Sequence, residues 1–539
     1  MRKLYVIAGL AGLLGATACG SDVLSVPNND SPDAGRVLAR PGDVESLIAG
    51  TFNTVWQGTV SGSLTSVNPA LMVMSFENSS SLANFNMGTW GSLPRNPISN
   101  QPGSVFSDQN YYNFRLLASG ARSAATGIVQ LNRPGFTIGT TADNLRARAF
   151  GFFVLGLANG TSALVYDSIP LITEANGDDP QPPLINHDSA IKVALAQLDS
   201  SIAAANAGMS DLPDGWIPGN PLSAAEFVQL VRSYKARLRV EEPRTPAARA
   251  AINWTAVRDD AINGISADVD IQLDPSGSWD YSWYPLHFLF DTWTQQAPIM
   301  IGMADSSGGY DNWLATPLSS RTAFLIRSKD QRFPDGDTRA VQQANSKTGG
   351  VSIPPRSNLY FRNRTASDPS GEAYANSFYD WYREQALVNA GRQGAFPMLQ
   401  KAEVDLLAAE AYYRLGDFAS AADRINVTRV GNGNLPALLP VAGTVPGGAS
   451  CVPRVPDPAQ NYAASKCGDM FEALKWEKRM ELAFMQFGAW YFDSRGWGDL
   501  AQGTALEWPV PFQEMQVRAE LYYNSQPYQI AATKGTYGY

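Results

Sequence analysis

Histidine is nearly absent from this chain of 539 residues: there are two, His187 and His287, beside three cysteines. So few soft ligands exclude a His- or Cys-rich metal centre. Positive charge is also short. Lys and Arg number 41 against 50 Asp and Glu, a net charge of −9, and a nucleic-acid interface needs the opposite balance. The chain has no G-x-S-x-G elbow, H-E-x-x-H pair, P-loop or EF-hand spacing. Asp335-Gly336-Asp337 reads as a turn rather than a cation site. A Ser–His–Asp triad would need one of the two histidines. His187 abuts the start of a predicted helix and reads as structural; His287 sits in an aromatic run and reads as packed or solvent-facing. No cofactor is expected, and no motif supports a structural Ca²⁺. Paired carboxylates stay open, because a glycosidase pair is defined by space and not by spacing.

Hydrophobic residues make up 44% of the chain, too many for a disordered polymer and enough for a large core. The N-terminus, MRKLYVIAGLAGLLGATAC, places Arg2 and Lys3 before an apolar run over 4–14 and small residues before Cys19. This is an export signal. A Cys after Ala16-Thr17-Ala18 looks like a bacterial lipobox, with Ala16 where Leu is usual; cleavage to a soluble secreted protein is the alternative. Residues 1–18 are thus expected to be a lipoprotein signal peptide and 19–40 a lipidated Cys19 with its tether. After the signal, no stretch offers about 18 uninterrupted apolar residues, so no membrane-spanning helix is expected. In an exported chain Cys451 and Cys467 are expected to form a disulfide closing a Gly/Pro-rich loop, with two free thiols as the alternative.

Helical spacing dominates the rest. Residues 43–56, 144–158, 222–241 and 254–267 carry amphipathic patterns, the third opened by Ser223 and Glu226 as a capping box. Asp188 reads as the N-cap of a helix through Ala205. Residues 470–487 read as a helix with Ala473, Trp476, Met480, Ala483, Phe484 and Phe487 on one stripe and Lys475, Lys478, Arg479 and Glu481 opposite. Leu406–Ile425, LLAAEAYYRLGDFASAADRI, follows tetratricopeptide logic: small Ala in the seam, Gly416 ending one helix and Asp417 capping the next. Residues 75–104 and 271–380 read as loops with short strands, and 431–468 as an insertion holding both cysteines. The expectation is a mainly α, TPR-like helix–turn–helix superhelix over about 41–270 and 381–500, within one domain over 41–539, with a loop-rich half over 271–380.

That loop-rich sequence carries clustered aromatics: Trp279, Tyr281, Trp283 and Tyr284 in SWDYSWYPLHF, then Trp313, and Trp90 beside Asn84. Aromatic faces next to amides suit sugar rings, which stack on the ring while the amides bind hydroxyls. These seven residues are the candidate ligand-binding set. The competing reading is that the aromatics face a core.

Several segments together resemble the SusD/RagB nutrient-uptake lipoproteins: the lipobox with SDVLSVP, NLRARAFGFFVLGLANG, LLAAEAYYRLGDFASAADRINVTR, KWEKRMELAF with YFDSRGWGDL, and W-P-V-P-x-x-E at Trp508–Glu514. They occur in the family's order across nearly the whole chain. The resemblance implies a TPR scaffold and a loop-rich ligand-binding half. It also implies a surface-exposed outer-membrane lipoprotein that lids a TonB-dependent SusC-like barrel, and binding of glycans, or sometimes peptides, without catalysis. Met485–Gly488 departs from the family's E-G-x-R, which removes an inherited ion pair and leaves the fold. The alternatives are an anchored glycoside hydrolase on a helical scaffold and a TPR assembly protein that binds peptides or proteins.

Overall fold

The computed structural model describes residues 38–60, 66–80, 84–104, 106–176, 181–277, 279–280, 294–350, 359–365, 371–524 and 530–539. The signal peptide, Cys19 and most of the tether lie outside them.

The N-terminal half is a run of antiparallel helices. Helix α1 (Pro41–Gln57) starts with Pro at its first turn and buries Val44, Ile48, Phe52 and Val55. After the short, wholly buried α2 (Asn68–Met74), strand β1 (Ser79–Ser80) and α3 (Met87–Gly91), the chain forms α4 (Ser107–Leu131). Periodicity missed α4, since Asn, Ser, Ala and Gly fill its buried face. Asn113 there accepts from Val67 N–H at 2.9 Å and donates to Gly58 O at 2.9 Å. Gly127 lets α1 approach: a Cβ there would stand 2.4 Å from Ile48 Cγ1.

Helix α5 (Thr141–Val165) opens on a Thr140–Asp143 capping box. It is long and apolar enough to cross a membrane, contrary to expectation, but 94% of its apolar window is buried inside the fold, which makes it a core helix. Strands β2 (Ser168–Pro170) and β3 (Leu184–Asn186) lead into α6 (His187–Asn206). Asn186, not Asp188, caps α6 by accepting from Ser189 N–H at 3.0 Å. The expected Ser223–Glu226 box opens α7 (Ala224–Glu241). The one-turn α8 (Pro246–Ala250) and α9 (Trp254–Ile262) follow, the latter shorter than expected.

The chain then leaves the stack. Strand β4 (Val269–Leu273) pairs antiparallel with the much later β8 (Gly394–Leu399), Ile271 opposite Phe396. Between them lie β5 (Thr294–Gln295), α10 (Pro298–Ile301), α11 (Gly309–Ala315), α12 (Arg339–Gly350), β6 (Phe361–Asn363), β7 (Tyr379–Trp381) and α13 (Gln385–Asn389). The region of short strands and loops thus also holds helices that its Gly- and Pro-rich sequence hid.

The stack resumes with α14 (Lys401–Arg414) against α9, then α15 (Phe418–Gly431). Their turn is as expected: Gly416 has φ +82° and Asp417 accepts from Ser420 N–H at 3.1 Å. Strands β9 (Arg454–Pro456) and β10 (Ser465–Cys467) pair in the insertion, where Cys451 and Cys467 are disulfide-bonded. Helix α16 (Met470–Leu482) packs on α14 and α15. It stops before the expected end because Phe484 takes φ +58° and gives its N–H to Glu77. Helices α17 (Ala489–Trp497) and α18 (Phe512–Val517) complete the chain. Neighbour packs on neighbour from α4 through α7, α9, α14 and α15, which is the mainly α, TPR-like arrangement the sequence predicted.

The charged face of α16 is not solvated. Arg332 bonds Asp330, Glu477 and Glu481, all fully buried. Arg249 pairs with Glu410 at 2.6 Å and Asp493 at 2.9 Å, and Lys478 reaches the same Asp493 at 2.8 Å. Lys475 and Arg479 share Asp499. Burial alone would push the Glu410 carboxyl up, yet Arg249 pulls it down to about 2.

Candidate ligand-binding site

The site grows from the segment after α2. Phe76 turns the chain at φ +60°, Glu77 enters the core, and Asn78 leads into β1. Strand β1 pairs with β5, Ser79 opposite Gln295. Both strands are tied to a third segment: Ser79 Oγ donates to Ala375 O at 2.8 Å, and Gln295 Oε1 accepts from Ser377 N–H at 2.6 Å. Helix α3 closes the fourth side, and Tyr374 OH donates to Gly91 O at 3.2 Å.

Arg95 binds these pieces from beneath. It donates to Trp90 O and Met74 O, each at 2.8 Å, and to Thr504 Oγ1 at 3.0 Å, with its guanidinium 4.7 Å from the Phe76 ring centre. These acceptors are all neutral, and burial lowers its pKa to about 10. Beside it, burial pushes the Glu77 carboxyl up to about 8 against the opposing Phe484 N–H.

The pieces enclose a cleft of about 240 Å³. Val73, Phe76, Met87, Ala297, Pro298 and Ile299 give it an apolar wall; Asn78, Ser79, Ser80, Glu372 and Tyr374 are its polar lining. Asn78 and Ser80 are 2% and 7% exposed, yet Asn78 Oδ1 and Ser80 Oγ have no hydrogen-bond partner among the described residues. Burial, then Glu372, raises the Tyr374 phenol to about 12, so it stays a neutral donor. Among the described lining residues there is no Lys, Arg or His.

Of the sequence-derived candidates, Trp90, Trp279 and Trp313 are among the described residues with their side chains, and none of the three lines this cleft. Trp90 was expected on an Asn/Ser-rich surface; it is buried instead, 4.5 Å from Phe106 and 6.5 Å from Trp508, centre to centre, with its indole N–H on Gln109. The same helix turns Gly88 and Gly91 to the cleft. Trp313 is likewise corrected to a core residue, between Tyr310, Phe324 and the Arg321 guanidinium, 4.4 Å away. In both cases a large ring gains more from burial than its polar neighbours imply. Trp279 is half-buried, 6.1 Å from Phe52, and the next carbonyl, Asp280 O, accepts from Trp56 Nε1 at 2.9 Å. Asn84 opens a 3₁₀ turn, but its side chain lies outside the described residues. So do Tyr281, Trp283, Tyr284 and His287. His187 is structural, as expected: Nδ1 meets Glu242 Oε1 at 2.5 Å, and Glu507 is 3.5 Å from Nε2. Sequence reasoning missed Asn78, Ser80, Ile299 and Tyr374, and no motif marks them. Strand pairing between positions 216 residues apart assembles them.

No protein-family profile matches the chain, and no curated protein does. Solved structures do. A SusD homolog from Parabacteroides distasonis is 13% identical, with a TM-score of 0.54 over 88% of this chain and 93% of that one. A SusD superfamily protein from Bacteroides fragilis matches at 13% identity and TM-score 0.51, over 89% of this chain and 98% of that one. A second SusD-like protein from the same species gives 13% and 0.51, over 88% and 89%. At such identity the likeness is one of architecture, and the architecture of this chain is the SusD-like fold.

Proposed function

We propose that this chain is a SusD/RagB-type binding protein. It captures oligosaccharide at the cell surface without catalysis and delivers it to a TonB-dependent SusC-like transporter. Lipid on Cys19 anchors it to the outer membrane, and the tether lets the globule act as a lid. The observation that carries this reading is the cleft: concave, mostly apolar, with a few convergent neutral polar groups, in the loop-rich half of a SusD-like fold. Glycosidic hydrolysis by paired acids needs two carboxyl groups about 5–10 Å apart; Glu372 is the one carboxylate among the described lining residues. Tyr281, Trp283 and Tyr284 supply stacking faces in this proposal. Each aromatic contact adds about 0.5–1.5 kcal/mol, so three of them give about millimolar affinity at best, which calls for capture beneath a lid.

The test is a glycan screen by calorimetry on the soluble form beginning at Gly20, with product analysis of every hit. Binding with the sugar recovered intact is the expected result. A cleaved product would replace the reading with a hydrolase. Silence across the screen with binding to peptides would replace it with a peptide-binding protein.

A further inference from the structure

The cleft has few polar side chains left for a ligand. Ser79 Oγ donates to Ala375 O at 2.8 Å, and Tyr374 OH donates to Gly91 O at 3.2 Å. Asn78 Nδ2 points at Met87 Sδ, 3.8 Å away. Asn78 Oδ1 and Ser80 Oγ are sealed beneath the surface, out of a ligand's reach. Among the described polar side chains of the lining, Glu372 alone is exposed. The wall is otherwise apolar, with Val73, Phe76, Met87, Ala297, Pro298 and Ile299. A sugar ring carries hydroxyls around its rim, and each that leaves water here without a new partner is destabilising. A sugar ring is therefore a poor match to this cleft, and an apolar group is a good one.

The geometry points to an aromatic acyl group, ester-linked to the captured oligosaccharide, as the occupant of the cleft. This inference rests on the oligosaccharide reading above and assigns the cleft to what the sugar carries. Size fits: an apolar cavity of about 150 Å³ takes a benzene ring, and the cleft encloses about 240 Å³. That is room for one ring and the short arm joining it to a sugar, and less than the range of about 300–1,000 Å³ usual for a whole drug-sized ligand. Shape fits as well. Gly88 and Gly91, three positions apart on α3, line the cleft without side chains, so a flat ring can lie close to that helix. Phe76 and Tyr374 bring rings and Met87 a thioether to the lining, and all three favour an aromatic guest over an aliphatic one. Charge selects the ester over the free acid, since the described lining has Glu372 and no cation to meet a carboxylate.

The experiment titrates methyl cinnamate, methyl hexanoate and the cinnamate anion into the soluble form by calorimetry, on the wild type, Ala375→Phe and Glu372→Lys. Ala375 is half-buried and lines the cleft, so a ring placed there takes up the ligand's space; a melting curve checks that the variant folds. Glu372→Lys alters an exposed side chain and keeps the test open if Ala375→Phe does not fold. The expected result is binding of methyl cinnamate at millimolar concentration or below, at least tenfold tighter than methyl hexanoate or the anion. That binding is lost in Ala375→Phe, and the anion gains at least tenfold in Glu372→Lys while the ester is unchanged. No binding of methyl cinnamate at millimolar concentration would overturn the assignment, as would equal binding of the aliphatic ester or full binding in folded Ala375→Phe. None of these touches the oligosaccharide reading, which the glycan screen decides. Methyl cinnamate bound as expected, with no glycan bound in the screen, would uphold the cleft's preference and overturn the link to an oligosaccharide.

Discussion

The helical stack and the surroundings of the cleft differ in what holds most of their buried charges. In the stack, Arg249, Glu410, Asp493 and Lys478 are wholly or almost wholly buried, and each charge meets an opposite one. Around the cleft, Arg95 is held by neutral oxygens and Glu77 by one backbone N–H. Asn78 Oδ1 and Ser80 Oγ, buried atoms of two lining residues, have no hydrogen-bond partner among the described residues. The pairing in the stack is not complete, since Arg495 in α17 is held by four backbone carbonyls, and Glu241 Oε1, Trp254 Nε1 and Arg429 Nη2 have no hydrogen-bond partner among the described residues.

Substitutions should separate the two regions. The largest effect is expected in the stack. Arg249→Met leaves buried Glu410 without its bidentate cation and Asp493 with Lys478 alone, which costs about 3–5 kcal/mol, while glycan affinity per folded molecule stays unchanged; chemical denaturation paired with calorimetry reads both. Trp90→Ala should behave like a core truncation and cost about 3–5 kcal/mol. Trp283→Ala, by contrast, should weaken glycan binding with little change in melting temperature; the reverse pattern would remove Trp283 from the ligand set. Cys451→Ser with Cys467→Ser opens a loop of 16 positions and should cost about 3 kcal/mol, read by denaturation, with binding intact.

A pH dependence is expected behind the cleft. Burial raises the Glu77 carboxyl from 4.5 to about 8. Folding therefore favours its protonated form: the stability it contributes is full below pH 4.5 and is lost as pH rises through 8. Glu77→Gln keeps an acceptor for Phe484 N–H and removes the ionisation. Its melting temperature should overtake that of the wild type as pH rises across that window, and parallel curves would contradict the assignment.

How much of this could be read from sequence followed the range of the forces. Local signals worked: the Ser223–Glu226 box, Asp417 with Gly416, and the periodic apolar face of α5 all formed as the residues dictate. Signals that depend on distant partners did not. The polar side of FEALKWEKRMEL looks solvated, and it is buried because Asp330, Arg332, Asp493 and Asp499 arrive from other parts of the chain. Helix α4 hid because asparagine and glycine make its contacts, and Asn113 is as buried as any leucine there. Trp90 and Trp313 misled because polar neighbours in sequence are not neighbours in space. The cleft was invisible for the same reason: Asn78, Ile299 and Tyr374 meet through β1, β5 and the 371–377 segment.

The account's central claim is that ligand binds at the cleft and not along the helical stack. Hydrogen exchange of the soluble form, free and saturated with the best oligosaccharide from the screen, tests it most directly. The account predicts slowed exchange confined to residues 73–91, 295–299 and 371–375 and to the aromatic segment 279–293. Slowed exchange in the stacked helices over 224–262 and 401–431, with none around the cleft, would contradict it.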